Sequence, residues 1–155
     1  TYNPHDDLSP EVSAKIIIDH VLNGITNARK SKLPDRIIDF IRTHHGTTTV
    51  LYFLQQAPEA NPNIEVEQFQ YPGPKPFSKE TAIVMISDGV EAASKSLKEP
   101  TAEKIIAFVD KIVQRLMDEK QFLEANITLR EIETVKSVLC EKLISSYHLR
   151  VSYPE

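Results

Sequence analysis

Three histidines and one aspartate are the residues of this sequence whose types and spacing suggest metal chemistry. His44 and His45 are adjacent and are followed at once by Gly46, so both imidazoles can point into one cavity where a helix gives way to a loop. His20 lies on the preceding helical segment, and Asp88 lies in an apolar segment further along the chain. Three imidazole nitrogens and one carboxylate form a donor set that suits a divalent transition metal. These residues therefore predict a metal site.

The surroundings of His20 favour a ligand over an ordinary histidine. A single histidine on a helix is more often a packed or exposed side chain. Here Asn23 and Gly24 follow on the same helix face, and we expect them to leave an open space beside the imidazole. Because glycine weakens a helix by about 1 kcal/mol relative to alanine, Gly24 predicts that something must fit there.

Asp88 and Glu91 are acids in a segment that is otherwise mostly apolar. Asp88 follows the run Ala82-Ile83-Val84-Met85-Ile86, which predicts a buried helix. A buried carboxylate needs a counter-charge, and a metal ion or an Arg or Lys partner would each supply one. Glu91 could accept a hydrogen bond from a ligand imidazole, and the alternative is a surface acid.

The hydrophobic periodicity predicts an all-α fold of six helices. Ser9-Pro10-Glu11 has the composition of a helix start, and Val12, Ile16, Val21, Ile25 and Ala28 are expected on one buried side of the first helix. Gly46 is expected to stop the second helix. The predicted helices span about residues 10–30, 35–45, 48–57, 78–97, 101–120 and 129–147.

A long proline-rich segment interrupts the helical pattern between residues 58 and 77. Five of the ten prolines lie there, a density that predicts a loop without regular helix. Loops of this length are usually either disordered or functional, and proline lowers the entropy lost on ordering. We therefore expect residues 70–77 to form an ordered lid next to the histidines. The alternation after residue 147 predicts a short extended tail.

The composition excludes several classes of partner. The net charge is −4 and the Lys and Arg residues are scattered, which argues against long nucleic acid or an anionic bilayer. No apolar run approaches the roughly 20 residues of a membrane helix, so the chain is expected to be soluble. Cys140 is expected to be a reduced core thiol, which fits the cytosol. At 155 residues, one domain is the expectation.

Five motifs, in order along nearly the whole chain, carry a family resemblance: Asn3-Pro4-His5-Asp6-Asp7-Leu8-Ser9-Pro10, His20-Val21-Leu22-Asn23-Gly24, His44-His45-Gly46-Thr47, Tyr71-Pro72-Gly73-Pro74-Lys75-Pro76 and Ser87-Asp88-Gly89-Val90-Glu91-Ala92-Ala93. The chain closely resembles the HD-domain phosphodiesterases carried on bacterial seven-transmembrane receptor proteins. These enzymes hydrolyse cyclic di-AMP to the linear dinucleotide. The resemblance implies an all-helical HD domain on the cytoplasmic side of the bacterial inner membrane, with a dinuclear iron or manganese site.

By this resemblance, His20, His44, His45 and Asp88 match four ligands of that site, with the histidines around one metal and Asp88 at the other. The family also uses an earlier histidine and a His-Asp dipeptide, which are expected upstream of Thr1. His5-Asp6 itself is interpreted as part of a turn before the first helix. Residues 1–155 are thus expected to form one partial HD domain that binds at most one metal and does not hydrolyse cyclic di-AMP by itself.

The substrate contacts and the reaction class have alternatives that the sequence leaves open. Thr47, Tyr52 and Lys75 are candidate substrate contacts, and a packing residue or a solvated loop cation is the alternative for each. A helical sensor that binds a cyclic dinucleotide or a partner without catalysis is one competing function. An HD hydrolase of cyclic di-GMP or of a nucleoside triphosphate is another. The Gly-Tyr-Pro signature of cyclic di-GMP hydrolases does not follow His44-His45, which argues against the first of these two substrates.

Overall fold

The structure is a computed structural model that describes residues 8–60 and 65–147. Within these residues every regular element is helical, and the extended pairing is limited to one isolated bridge between Thr49 and Gln70. The predicted all-α fold is confirmed. The helices are α1 (Pro10–Lys30), α2 (Asp35–Thr43), α3 (Leu51–Ala60), a 3-10 helix (Val66–Phe69), α4 (Lys79–Ser94), α5 (Ala102–Asp118) and α6 (Leu129–Ser146).

Two compact units divide the chain, residues 1–75 and residues 76–155. In the first unit α1 packs against α2, α3 and the 3-10 helix. The buried side chains Ala14, Phe53 and Phe69 form its centre. This packing fixes α1 and α2, the two helices that carry the histidines.

Helix α1 begins as predicted but buries a different face near its start. The Ser9 hydroxyl caps the helix by accepting a hydrogen bond from the Val12 backbone N–H at 3.3 Å. Ala14, Val21 and Ala28, spaced by seven residues, are buried. Val12 and Ile16 are 47% and 50% exposed, so their predicted burial is wrong. Val12 and Ile16 are each two residues from Ala14, which places their side chains about 200° around the helix, away from the buried face.

The proline-rich segment contains more helix than its composition predicts. Helix α3 starts at Leu51, later than predicted, because residues 48–50 pair with residues 69–71 instead. It then continues through Ala60, where Pro58 removes one N–H near the helix end. The Val66–Phe69 turn contains no proline and forms a 3-10 helix. The prediction that residues 58–77 hold no helix is therefore wrong at these two places.

The second unit consists of α4, α5 and α6 around its own apolar core. Ser78 and Thr128 cap α4 and α6 through reciprocal capping boxes. Lys79 at the start of α4 donates a hydrogen bond to Glu131 in the first turn of α6. Cys140 lies half-buried on α6, and burial raises the pKa of its thiol.

Three sequence predictions remain, for the turn before α1, for the tail after α6 and for membrane-spanning helices. The turn at His5-Asp6 and the extended tail after residue 147 lie outside the described residues. Among the helices that the structure describes, none is both long and apolar enough to cross a membrane.

Candidate metal centre

The three predicted histidines meet at the junction of α1 and α2. One ligand nitrogen from each of His20, His44 and His45 lies within 4.8 Å of the others. Nε2 of His20 is 3.2 Å from Nε2 of His44. The ring centroids of His44 and His45 are 4.0 Å apart, and those of His20 and His45 are 4.9 Å apart. The structure thus brings together residues that are up to 25 positions apart in sequence.

Backbone carbonyls orient two of these rings. Nδ1 of His44 is 2.7 Å from the Ile41 carbonyl, and Nδ1 of His20 contacts the Ile17 carbonyl, each three residues earlier in the same helix. A carbonyl can only accept, so each Nδ1 carries the proton and each Nε2 is left with a lone pair. Two such lone pairs facing each other repel unless a cation or a shared proton lies between them.

The spacing of the two nitrogens fits a divalent transition metal. With metal–nitrogen bonds of about 2.1 Å and bond angles between those of octahedral and tetrahedral geometry, two ligand nitrogens lie about 3.0–3.4 Å apart. The distance of 3.2 Å between the Nε2 atoms falls in this range. Backbone carbonyls that fix the imidazole tautomer are a common feature of metal-binding histidines. The cluster therefore fits a metal ion.

His45 lies just beyond the end of α2 and is kept neutral by its environment. His44 is the C-cap of α2, and Gly46 adopts the left-handed conformation with φ of 51°, which confirms it as the helix stop. Burial, together with the neighbouring His44 and His20, lowers the pKa of His45 from 6.5 to about 3. A neutral imidazole is the form that binds a metal.

The proline-rich segment reaches this cluster through Tyr71. The Tyr71 ring stacks on the His45 ring with a centroid distance of 4.2 Å and an interplanar angle of 19°. Gly73, with φ of 83°, approaches Thr47 so closely that a β-carbon there would lie 3.2 Å from the Thr47 methyl. Residues 71–73 therefore lie beside the histidines, as predicted for the start of the lid. That residues 70–77 as a whole form an ordered lid stays a prediction.

Gly24 has a different role from the one predicted. A β-carbon at Gly24 would lie 3.0 Å from Cγ2 of Ile41, so the glycine allows α1 and α2 to approach closely. The expected open space beside His20 is occupied by this helix contact. What fits at Gly24 is Ile41 of α2, so close packing of the two histidine-bearing helices accounts for the glycine.

The predicted acids lie in the second unit, on α4. Asp88 is half-buried in the middle of that helix. Glu91 is exposed, and its carboxylate is 3.0 Å from the ammonium group of Lys95. At His20 and His44 the groups seen to orient the rings are the carbonyls of their own helices. The roles of Asp88 as a ligand and of Glu91 as a hydrogen-bond partner stay predictions.

The candidate substrate contacts are spread over the first unit. Thr47 lies directly after the histidine turn, and Tyr52 is 65% exposed on α3 with its ring against Phe53. Lys75 is half-buried at the end of this unit. Tyr71 is the contact of the cluster that sequence reasoning missed. Its position between Phe69 and the proline run was the available signal, since aromatic residues in such a segment usually pack against something.

The fold and the cluster define a helical domain with three histidines that could hold a metal ion. No family model matches the sequence. The chain is 41% identical over 153 residues to the cyclic-di-AMP phosphodiesterase PgpH of Bacillus subtilis, and 42% identical to PgpH of Listeria monocytogenes. These alignments cover 99% of the chain but only 22% and 21% of the two proteins.

A solved structure has the same fold over most of the length of both chains. The crystal structure of the L. monocytogenes PgpH HD domain in complex with cyclic-di-AMP superposes with a TM-score of 0.91 at 42% identity. The match covers 97% of this chain and 71% of that one. The chain belongs to the PgpH family of HD-domain proteins, and the family resemblance seen in the sequence is confirmed.

Proposed function

We propose that the chain is part of the catalytic HD domain of a metal-dependent phosphodiesterase that hydrolyses cyclic di-AMP to the linear dinucleotide. The observation that carries this proposal is the convergence of His20, His44 and His45 in a chain 42% identical to a domain crystallised with cyclic-di-AMP. The chain spans about a fifth of the PgpH proteins, so the activity of the whole protein belongs to this proposal.

The histidines would hold one divalent ion, and Asp88 would serve a second. Iron and manganese are the proposed metals, and at most one ion is expected in residues 1–155. Two bound ions would polarise the phosphodiester and make water nucleophilic near neutral pH. The chain's own contribution is to hold three neutral imidazoles at a fixed spacing. Neutral ligands leave the charge of an ion uncompensated, so such a site attracts a phosphodiester anion more strongly than a site built from carboxylates would.

Three side chains of the first unit are proposed to contact the dinucleotide. The ammonium group of Lys75 suits a phosphate oxygen, and the Thr47 hydroxyl follows the histidine turn directly. The exposed ring of Tyr52 offers a face on which an adenine base could stack. We also place the domain on the cytoplasmic side of the bacterial inner membrane, as part of a longer protein.

The test compares the 155-residue chain with a version extended to the full HD domain. We expect the 155-residue chain to bind at most one divalent metal ion, and only the extended version to release linear di-adenylate, measured by chromatography after addition of Mn²⁺ or anaerobic Fe²⁺. His44→Ala should abolish metal binding in both. Lys111→Gln, an exposed change on α5, is the control.

Specificity and catalysis are separated in the same assay. Cyclic di-GMP should be cleaved at least tenfold more slowly than cyclic di-AMP. Tight binding of cyclic di-AMP by the metal-loaded extended domain without any product would favour the non-catalytic sensor instead. Cleavage that is unaffected by His44→Ala would contradict the proposed site.

A further inference from the structure

The three histidines of the cluster are held in two different ways. His20 and His44 each contact a carbonyl of their own helix through Nδ1, so the helix itself sets their orientation. His45 lies beyond the end of α2, and one face of its ring is covered by Tyr71 from a separate segment. One face of the His45 ring is therefore in contact with the segment of residues 69–71.

Backbone pairing anchors those residues to the histidine turn. The Val50 N–H donates to the Phe69 carbonyl at 2.8 Å, and the Tyr71 N–H donates to the Thr48 carbonyl at 3.0 Å. Thr48 in turn donates from its hydroxyl to the His45 carbonyl at 2.7 Å. Tyr71 thus approaches His45 from a backbone that is itself tied to the His45 peptide.

Burial fixes the tyrosine from the other side. Phe69 is fully buried, and Tyr71 is only 8% exposed. The Tyr71 ring also lies edge-on to His20, with centroids 6.0 Å apart and an interplanar angle of 81°. Because one ring contacts two of the three imidazoles, its loss would remove an aromatic contact from both and would admit water to the covered face of His45.

We propose that Tyr71 is a positioning residue that fixes the ring plane of His45 toward the other two imidazoles. This inference rests on the proposed metal-dependent function, because it concerns a ligand of the proposed metal. It goes beyond that function in assigning a defined role to the first residue of the proline-rich segment. This role is assigned to the aromatic face of Tyr71, which stacks on His45.

Two variants of Tyr71 separate the ring from the hydroxyl group. Tyr71→Phe keeps the stack, and Tyr71→Leu removes it while leaving an apolar side chain. Phe53→Leu is the matched control, because Phe53 is a buried aromatic of the same unit that packs in the core with Ala14 and Phe69. We expect Phe53→Leu to lower thermal stability without changing the histidine cluster.

The first measurement uses the metal-free chain. Nuclear Overhauser contacts between the imidazole protons of His45 and His20 should persist in the native chain, in Tyr71→Phe and in Phe53→Leu, and should disappear in Tyr71→Leu. The second measurement is calorimetric titration with Mn²⁺ or Zn²⁺. Tyr71→Leu should bind about tenfold to a hundredfold more weakly, the effect typical of groups that orient metal ligands, while Tyr71→Phe should stay within about threefold of the native chain.

The two measurements keep the inference separate from the proposed function. If neither the native chain nor the extended HD domain binds metal, the proposed function fails, while the contacts between the imidazoles still decide whether Tyr71 positions His45. Unchanged contacts in Tyr71→Leu would overturn the positioning role. Equal losses of metal affinity in Tyr71→Phe and Tyr71→Leu would also overturn it, because the ring would not be the acting group.

Discussion

Replacing Gly24 with alanine should separate the two helices that carry the histidines. The new β-carbon would lie 3.0 Å from Cγ2 of Ile41, whereas carbon atoms in favourable contact are about 3.5 Å apart or more. The helices, or the Ile41 side chain, must therefore move by about 0.5 Å. Alanine gains about 1 kcal/mol of helix propensity, and overpacking costs about 1–3 kcal/mol. We expect a net loss of about 0–2 kcal/mol in the free energy of unfolding.

The larger effect of Gly24→Ala should be on metal affinity. Gly24 lies one turn after His20, and Ile41 lies one turn before His44, so separation at this contact moves the two Nε2 atoms apart. A displacement of about 0.5 Å is at the limit that a preorganised site tolerates. We expect about tenfold weaker binding of Zn²⁺ or Mn²⁺ by calorimetric titration. The double variant Gly24→Ala with Ile41→Ala should recover part of this affinity, because it removes the opposing methyl.

Gly89 provides the matched control for this prediction. It is also a helical glycine, but a β-carbon there would lie 3.6 Å from Cγ2 of Ile112, an ordinary contact distance. Gly89→Ala should therefore raise the free energy of unfolding by up to about 1 kcal/mol, measured by urea denaturation. If Gly24→Ala stabilised the chain as much as Gly89→Ala and left metal affinity unchanged, the close approach of α1 and α2 would not require a glycine at position 24.

Three further predictions concern stability. The pKa of His45 is about 3 in the folded chain against an ordinary value of 6.5, so between these pH values only the unfolded chain binds a proton at this residue. The contribution of His45 to the free energy of unfolding of the metal-free chain should therefore be constant above pH 6.5 and fall from there toward pH 3. His45→Gln should flatten this pH dependence in urea denaturation. Hydrogen bonds from Lys79 and then from Thr128 lower the pKa of Glu131 from 4.5 to about 2. Their stabilisation is therefore present above pH 4.5 and is lost between pH 4.5 and 2, so Glu131→Gln should lower the melting temperature at pH 7, with the difference vanishing near pH 2. Lys120 has φ of 57° just after α5, so Lys120→Gly should raise the free energy of unfolding by about 1 kcal/mol, whereas Lys104→Gly inside α5 should lower it by about the same amount.

Local signals in the sequence account for most of the helices. The Ser9 cap, the proline at the start of α1 and the stop at Gly46 act within a few residues of where they occur, so their effect can be read from the chain directly. The adjacent histidines are informative for the same reason. Two neighbouring imidazoles at a helix end stay close in any fold, and His20 then needed only the packing of α1 on α2.

The features that sequence reasoning missed depend on contacts between distant residues. Tyr71 meets His45 only because residues 48–50 pair with residues 69–71, and no local pattern encodes that pairing. The role of Gly24 is set by Ile41 on another helix. The exposure of Ile16 depends on which neighbours cover α1. These are tertiary effects, which composition and periodicity do not determine.

The pairing of residues 48–50 with residues 69–71 also makes the geometry of the histidine cluster independent of the length of the chain between these two segments. Because both ends of this excursion are held at the same point, residues added between α3 and the 3-10 helix would lengthen a closed loop without pulling on Tyr71 or His45. Each doubling of such a loop costs only about 0.6 kcal/mol of closure entropy. A reporter domain could therefore be inserted there while the spacing of the imidazoles is preserved.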